Sequence, residues 1–277
     1  MLRLAITIAS EKAPPAAFVV WRGFESSLHK ARALGFDGVE LALQDAGEID
    51  LGGMKRQLKD AGLVCPCIST GQVFANLNLH FATTDPARKT QLLDVFRGLI
   101  DVAAELGAMV NVGRCRGFIE PGQSRAQTQE RFIATARELC LYARSCGVTL
   151  VLEPVNRYEI NFINSVAEAV ALLDTAGLTD MALMPDLFHM NIEDRDIASE
   201  LRQHCHRVRY LHMADSNRLA PGQGHIDFTA VFLALKQCGY SGWASVEILP
   251  QPDPDTAARQ AIEYLRPLIK AYNDGCA

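Results

Sequence analysis

Short runs of apolar residues recur along the chain, and between them lie longer stretches in which apolar positions return every three or four residues. The short runs read as strands buried on both faces and the longer stretches as amphipathic helices. Eight strands are expected: Leu2 to Ile8, Gly38 to Leu43, Val64 to Ser69, Met109 to Gly113, Thr149 to Glu153, Met181 to Asp186, Val208 to Ala214 and Gly242 to Ile248. Helices are expected over Gln91 to Leu106, ended by Gly107, over Gln127 to Cys146, ended by Gly147, and over Thr256 to Tyr272. Ser165 followed by Glu168 is a capping-box pattern opening a further helix from Val166 to Ala176. Strict alternation of strand and helix argues for parallel strands joined by right-handed crossovers, and eight such units close into a (β/α)8 TIM barrel. No linker or low-complexity stretch interrupts the pattern, so residues 1–277 are read as one TIM-barrel domain.

Four of the apolar runs, TLVLE, MALMPD, VRYLH and GWASVE, close on Glu153, Asp186, His212 and Glu247. In a parallel barrel the C-terminal strand ends converge on one mouth, so side chains arriving one per strand meet there. Strand parity agrees. With the ligand residues facing the axis, Thr149, Val151, Val208, Tyr210, Trp243 and Ser245 also face inward, and the apolar Leu150, Leu152, Leu211 and Val246 face the helices. Three carboxylates and one imidazole form an oxygen-rich set that suits Mn²⁺, Mg²⁺ or Co²⁺ better than a structural zinc, with Zn²⁺ still open as a catalytic ion. The chain holds 32 acidic residues and 7 histidines among 277, so strand-end spacing is suggestive by itself and the flanking residues must decide.

Composition narrows the partners. A net charge of -5 offers no basic field for nucleic acid or an anionic membrane, and no run of 18 apolar residues is present to span one. The start, MLRLAITIAS, is too short for a secretory leader and reads as the first strand. A cytoplasmic protein with a small-molecule substrate is expected, its 8 irregularly spaced cysteines reduced and packed, with homo-oligomerisation open. Cys65 and Cys67, two apart, are expected on one strand face rather than in a zinc turn. His29, His80, His204 and His206 are read as surface residues.

The segments LEPVNRYE (152–159), PDLFHMNIE (185–193) and HMADSNRLAPGQGHIDF (212–228) resemble the sugar epimerase and isomerase group with xylose-isomerase-like barrels, nearest the D-tagatose and D-psicose 3-epimerase family. The resemblance is strong over strands five to eight and holds only in outline before them. It implies one divalent ion, usually manganese, on Glu153, Asp186, His212 and Glu247, with Glu159, His189 and Arg218 touching substrate oxygens. Two departures leave the substrate open: Asp215 stands where the family often has a glutamate, and ILPQPDPD replaces its glutamate-proline-phenylalanine run.

Chemistry leads to the same roles. Taking a proton from the carbon beside a carbonyl yields a cis-enediolate, whose charge a metal offsets, and epimerisation needs an acid/base on each face of the substrate. Glu153 and Glu247 are the candidate pair, with His189 and Arg218 as polarising groups; Arg218 has the plainer alternative of a surface pair with Asp215. Arg114 and Arg116 in GRCRG, and Arg22 after the first strand, have the plain reading of solvated loop charges or partners of acidic neighbours; facing the cavity, they would suit an anionic group and make the substrate a sugar acid or sugar phosphate rather than a neutral ketose. Ketose 3-epimerisation, aldose-ketose or hydroxypyruvate-type isomerisation, and dehydration or decarboxylation of an oxo sugar share this first step. A catalytically silent sugar-binding protein would have little reason to keep both bases. A DNA-repair endonuclease on the same barrel would need more zinc ligands and a basic face, which this chain lacks.

Overall fold

A computed structural model describes residues 1–15 and 17–275. Its strands are β1 (Leu2–Ala9), β2 (Trp21–Arg22), β3 (Gly38–Ala42), β4 (Cys67–Ser69), β5 (Met109–Val112), β6 (Leu150–Leu152), β7 (Met181–Leu183), β8 (Tyr210–His212) and β9 (Gly242–Val246). All neighbouring strands run parallel, in the order β7-β6-β5-β4-β3-β1-β9-β8, with the two-residue β2 alongside β1. The ring closes between β7 and β8 through two single bridges, Leu183 with Val208 and Asp186 with His212. Eight strands therefore form a TIM barrel, as the alternation predicts.

The helices are α1 (Phe24–Leu34), α2 (Leu51–Ala61), α3 (Gly71–Leu77), α4 (Pro86–Leu106), α5 (Arg125–Ser145), α6 (Val166–Ala176), α7 (Leu187–Glu193), α8 (Ile197–His204), α9 (Phe228–Gln237) and α10 (Pro254–Asn273). Their limits follow local signals. α4 starts a turn before the expected Gln91 because Asp85 accepts from the Ala87 and Arg88 amides and Pro86 supplies a preset first-turn φ. α5 opens on a full capping box between Ser124 and Gln127. The chain ends are tied: Leu2 donates to the Asn273 side chain at 2.8 Å and accepts from it at 3.0 Å.

Parity sorts the barrel wall as expected, with Leu150, Leu152, Leu211 and Val246 packing outward with the helices. Val151, Tyr210 and Trp243 join Ala5, Cys67 and Met184 in a separate inner layer. Val208 departs from this expectation, because β8 begins only at Tyr210 and Val208 packs with the outer cluster. Cys65 and Cys67 also separate. Pro66 delays β4 until Cys67, so Cys65 lies in the outer layer and Cys67 in the inner one, both as free thiols.

Two further expectations are corrected. Cys205 and Cys238 form a disulfide with Cα atoms 6.2 Å apart, brought together where α8 packs on α9, a proximity that a separation of 33 residues conceals. His80 and His204 are buried rather than on the surface: His80 lies beside the rings of Phe74 and Phe118, and His204 faces Glu200 on its own helix at 3.4 Å.

Candidate active site

β6 to β9 each deliver one side chain to the mouth just after or at their last residue: Glu153, Asp186, His212 and Glu247. One ligand atom from each lies within 4.8 Å of all the others. The bridge between Asp186 and His212 seats two of them side by side across the closing strands. His212 Nδ1 is 3.3 Å from Glu153 and 3.4 Å from Glu247, so the two carboxylates meet on one imidazole from different strands.

What holds these groups is a set of buried partners. Glu40, on β3, accepts from His212 Nε2 at 3.0 and 3.1 Å, which fixes the ring and leaves Nδ1 facing the cluster. Glu40 was missed in the sequence, although a carboxylate inside the apolar run GVELA was its signal. Asn111, at the end of β5, donates to Glu153 at 3.0 Å. Gly113 must be glycine, since a Cβ there would fall 2.7 Å from Glu153 Oε2.

Arg218 donates to both Asp186 and Glu247 and lies between two rings, 4.7 Å from Phe18 and 4.9 Å from Phe188. It does not pair with Asp215. The Asp215 carboxylate instead accepts backbone amides of Ser216, Gly222 and Ile226, organising the loop that holds Arg218 at a left-handed φ of 63°.

Charge and burial oppose each other here. Burial disfavours a charged His212, but Glu40 and Glu247 outweigh it and hold the metal-free imidazole well above its usual range. Burial also pushes the Glu247 carboxyl up, whereas the hydrogen bond and charge of His212 overcome burial and draw Glu153 down. Burial lowers His189.

Four clustered carboxylates, Glu40, Glu153, Asp186 and Glu247, face the Arg218 guanidinium and the imidazoles of His212 and His189; burial disfavours charge on His189, so negative charge remains in excess even with His212 protonated. Buried anions require compensation, and a divalent cation among three carboxylates and an imidazole nitrogen supplies it. The residues fit such an ion.

Glu153, Glu247, His189, Glu159 and Arg218 line one cavity of about 420 Å³, a size within the usual range for small-molecule sites. Asn156 donates to His189 Nδ1 at 2.8 Å, so the neutral ring carries its proton on Nε2, which points toward Asp186 at 3.8 Å and Glu153 at 4.0 Å. The same amide reaches Glu159 at 3.3 Å.

The three arginines expected at the mouth divide. Arg114 lines the cavity. Arg116 does not: it is fully buried, and its guanidinium donates to the carbonyls of Phe162, Gly113, Glu153 and Val155, bracing the loop after β6. Arg22 likewise serves the backbone, donating to Ala13, Pro14 and Pro15. Both guanidiniums donate to backbone carbonyls, and neither lines the cavity.

Residues 28–268 match the model of the xylose isomerase-like TIM barrel family. The chain is 31% identical over 229 residues to an L-ribulose 3-epimerase of Mesorhizobium japonicum, covering 80% of this chain and 74% of that protein. It is 32% identical over 228 residues to a ketose 3-epimerase of Arthrobacter globiformis, covering 79% and 75%. The solved structure of an L-ribulose 3-epimerase superposes with a TM-score of 0.85 at 26% identity over 99% of this chain and 97% of that one. These relatives are named epimerases, which are isomerases. No helix among the described residues is long and apolar enough to cross a membrane.

Proposed function

The chain belongs to the xylose isomerase-like TIM barrel family, and from that premise we propose that it is a divalent-metal-dependent ketose 3-epimerase. The observation that carries the reading is the approach of Glu153 and Glu247 to one imidazole nitrogen, at 3.3 and 3.4 Å, from strands on either side of the closing pair. Glu153, Asp186, His212 and Glu247 would hold the divalent ion, which would supply Lewis-acid polarisation of a ketose carbonyl.

The protein's own groups do the rest. One of the two glutamates takes the proton from carbon 3, giving a cis-enediolate, and the other returns a proton to the opposite face. His189 donates from Nε2 to a substrate oxygen, and Arg218 places positive charge beside the same cluster. Glu159, held by Asn156, accepts a substrate hydroxyl. Phe18 and Phe188 stack on Arg218 and keep water from it.

Incubation of the Mn²⁺-loaded protein with ketoses in heavy water tests this. Deuterium at carbon 3 with inversion is the expected result. Deuterium at carbon 1 or 2 makes it an aldose-ketose isomerase, and net loss of water or CO₂ a lyase. No exchange into a broad panel of ketoses, aldoses and oxo acids overturns the enediolate chemistry and leaves a sugar-binding protein.

A further inference from the structure

Of Arg22, Arg114, Arg116 and Arg218, only Arg114 has a guanidinium without a hydrogen bond or ion pair among the described residues. Arg218 is paired with two carboxylates, and Arg22 and Arg116 are bonded to carbonyls. The Arg114 side chain makes no hydrogen bond or ion pair among the described residues, and its guanidinium lies 5.6 Å from the Phe74 ring centroid. It is half-buried and borders the same cavity as Glu153 and Glu247. A cation of this kind, left unpaired within a cavity wall, has its fork of donors free for a ligand.

Gly113 abuts Glu153 so closely that a Cβ would touch the carboxylate, and Arg114, the next residue in the chain, borders the same cavity without belonging to the ligand cluster. A chain-like substrate with its carbonyl end at that cluster has its other end left for this part of the wall. Ala42, Ala75 and Val155 form apolar wall in the same cavity, which strengthens the field of a single charge. Ser69, at the end of the neighbouring β4, adds a hydroxyl with no hydrogen bond among the described residues.

We infer that Arg114 reads a terminal carboxylate, so that the substrate is an acidic ketose, a keto sugar acid with its carboxylate at the end remote from the carbonyl. The inference rests on the ketose-epimerase reading above. One cation matches one carboxylate in charge and in bidentate geometry, whereas a phosphate near pH 7 carries about 1.5 to 2 negative charges, which a single guanidinium does not balance.

The test uses three ketoses that differ only at carbon 6: D-fructose, D-fructuronate and D-fructose 6-phosphate. The Mn²⁺-loaded wild type is assayed for deuterium exchange beside Arg114→Met, and gluconate and sorbitol are titrated calorimetrically into both. Exchange into the uronate is expected to exceed that into fructose by at least about 10-fold in kcat/KM, and that ratio to collapse by about 10- to 100-fold in Arg114→Met, through KM. Gluconate is expected to bind the wild type more tightly than sorbitol, with the advantage lost in the variant. Equal use of fructose and fructuronate overturns the inference while leaving the epimerase reading intact, and so does a preference for the phosphate. Should none of the three exchange, it is the epimerase reading that fails, and the gluconate-against-sorbitol difference still decides Arg114. The wild-type comparison stands even if the variant folds poorly.

Discussion

Strands β6 to β9 each end in a side chain that reaches the ligand cluster, whereas β1 to β5 supply none of the four and instead furnish what stands around them: Glu40 behind His212, Asn111 beside Glu153, and Arg114 on the rim. In the C-terminal half the chemical atom comes from the residue that ends the strand or follows it closely. In the N-terminal half it comes from residues whose task depends on the direction of the side chain. The first kind of role survives translation into sequence, and the second does not. Arg114 and Arg116 make the point within three residues, since one borders the cavity and the other turns into the protein to hold four carbonyls.

The comparison breaks most sharply at the two glutamates. Glu153→Gln and Glu247→Gln keep the side-chain shape but remove proton transfer, and each should lower kcat by at least about 100-fold in the Mn²⁺-supplemented assay. A loss confined to one of them would mean that the proton leaves and returns on the same face. Chelation should silence the wild type, with activity restored by adding back the ion.

The N-terminal half is tested through Glu40. Glu40→Gln replaces the carboxylate that sets the His212 ring with a neutral, weaker acceptor and should weaken metal affinity by about 10- to 100-fold, read by competition with a chromogenic chelator. Unchanged affinity would reduce Glu40 to a buried partner without influence on the ligand. Arg116→Met should leave four carbonyls short of a donor and lower stability by about 2 kcal/mol in urea unfolding. If stability holds and sugar binding falls instead, Arg116 reads substrate after all.

The smallest effect concerns charge away from the ligands. Burial, with help from Glu200 and Glu193, pushes the Asp194 carboxyl up to about 7. An unfolded aspartate titrates near 4, so between about pH 4 and pH 7 the unfolded chain binds fewer protons than the folded one and stability falls as pH rises. Asp194→Asn should flatten that fall by about 1 kcal/mol after allowing for solvent screening, measured as the pH dependence of unfolding.

The barrel and the convergence of Glu153, Asp186, His212 and Glu247 were legible because an apolar run closed by a carboxylate or imidazole is a local pattern. The same pattern at Glu40 was overlooked because the carboxylate lies inside the run GVELA, where it reads as an interruption rather than an ending. α3 and α7, each seven residues long, have about two turns apiece, too few repeats to establish a period. The Cys205–Cys238 pairing depends on how α8 meets α9, and the buried positions of His80 and His204 depend on packing of the same nonlocal kind. No pattern within one segment carries such information.

The place where the ring of strands closes has a mechanical side. Elsewhere along the wall strands meet through paired ladders, but β7 and β8 are joined by two single bridges, with His212 donating to Pro185 and Arg209 to Leu183, both at 3.0 Å. Asp186 and His212 stand on opposite lips of that seam. An ion gripped by both is a clasp at the thinnest lap of the barrel, so loading the enzyme also fastens its wall: amides along β7 and β8 should be the ones whose protection against hydrogen exchange rises most when metal is added.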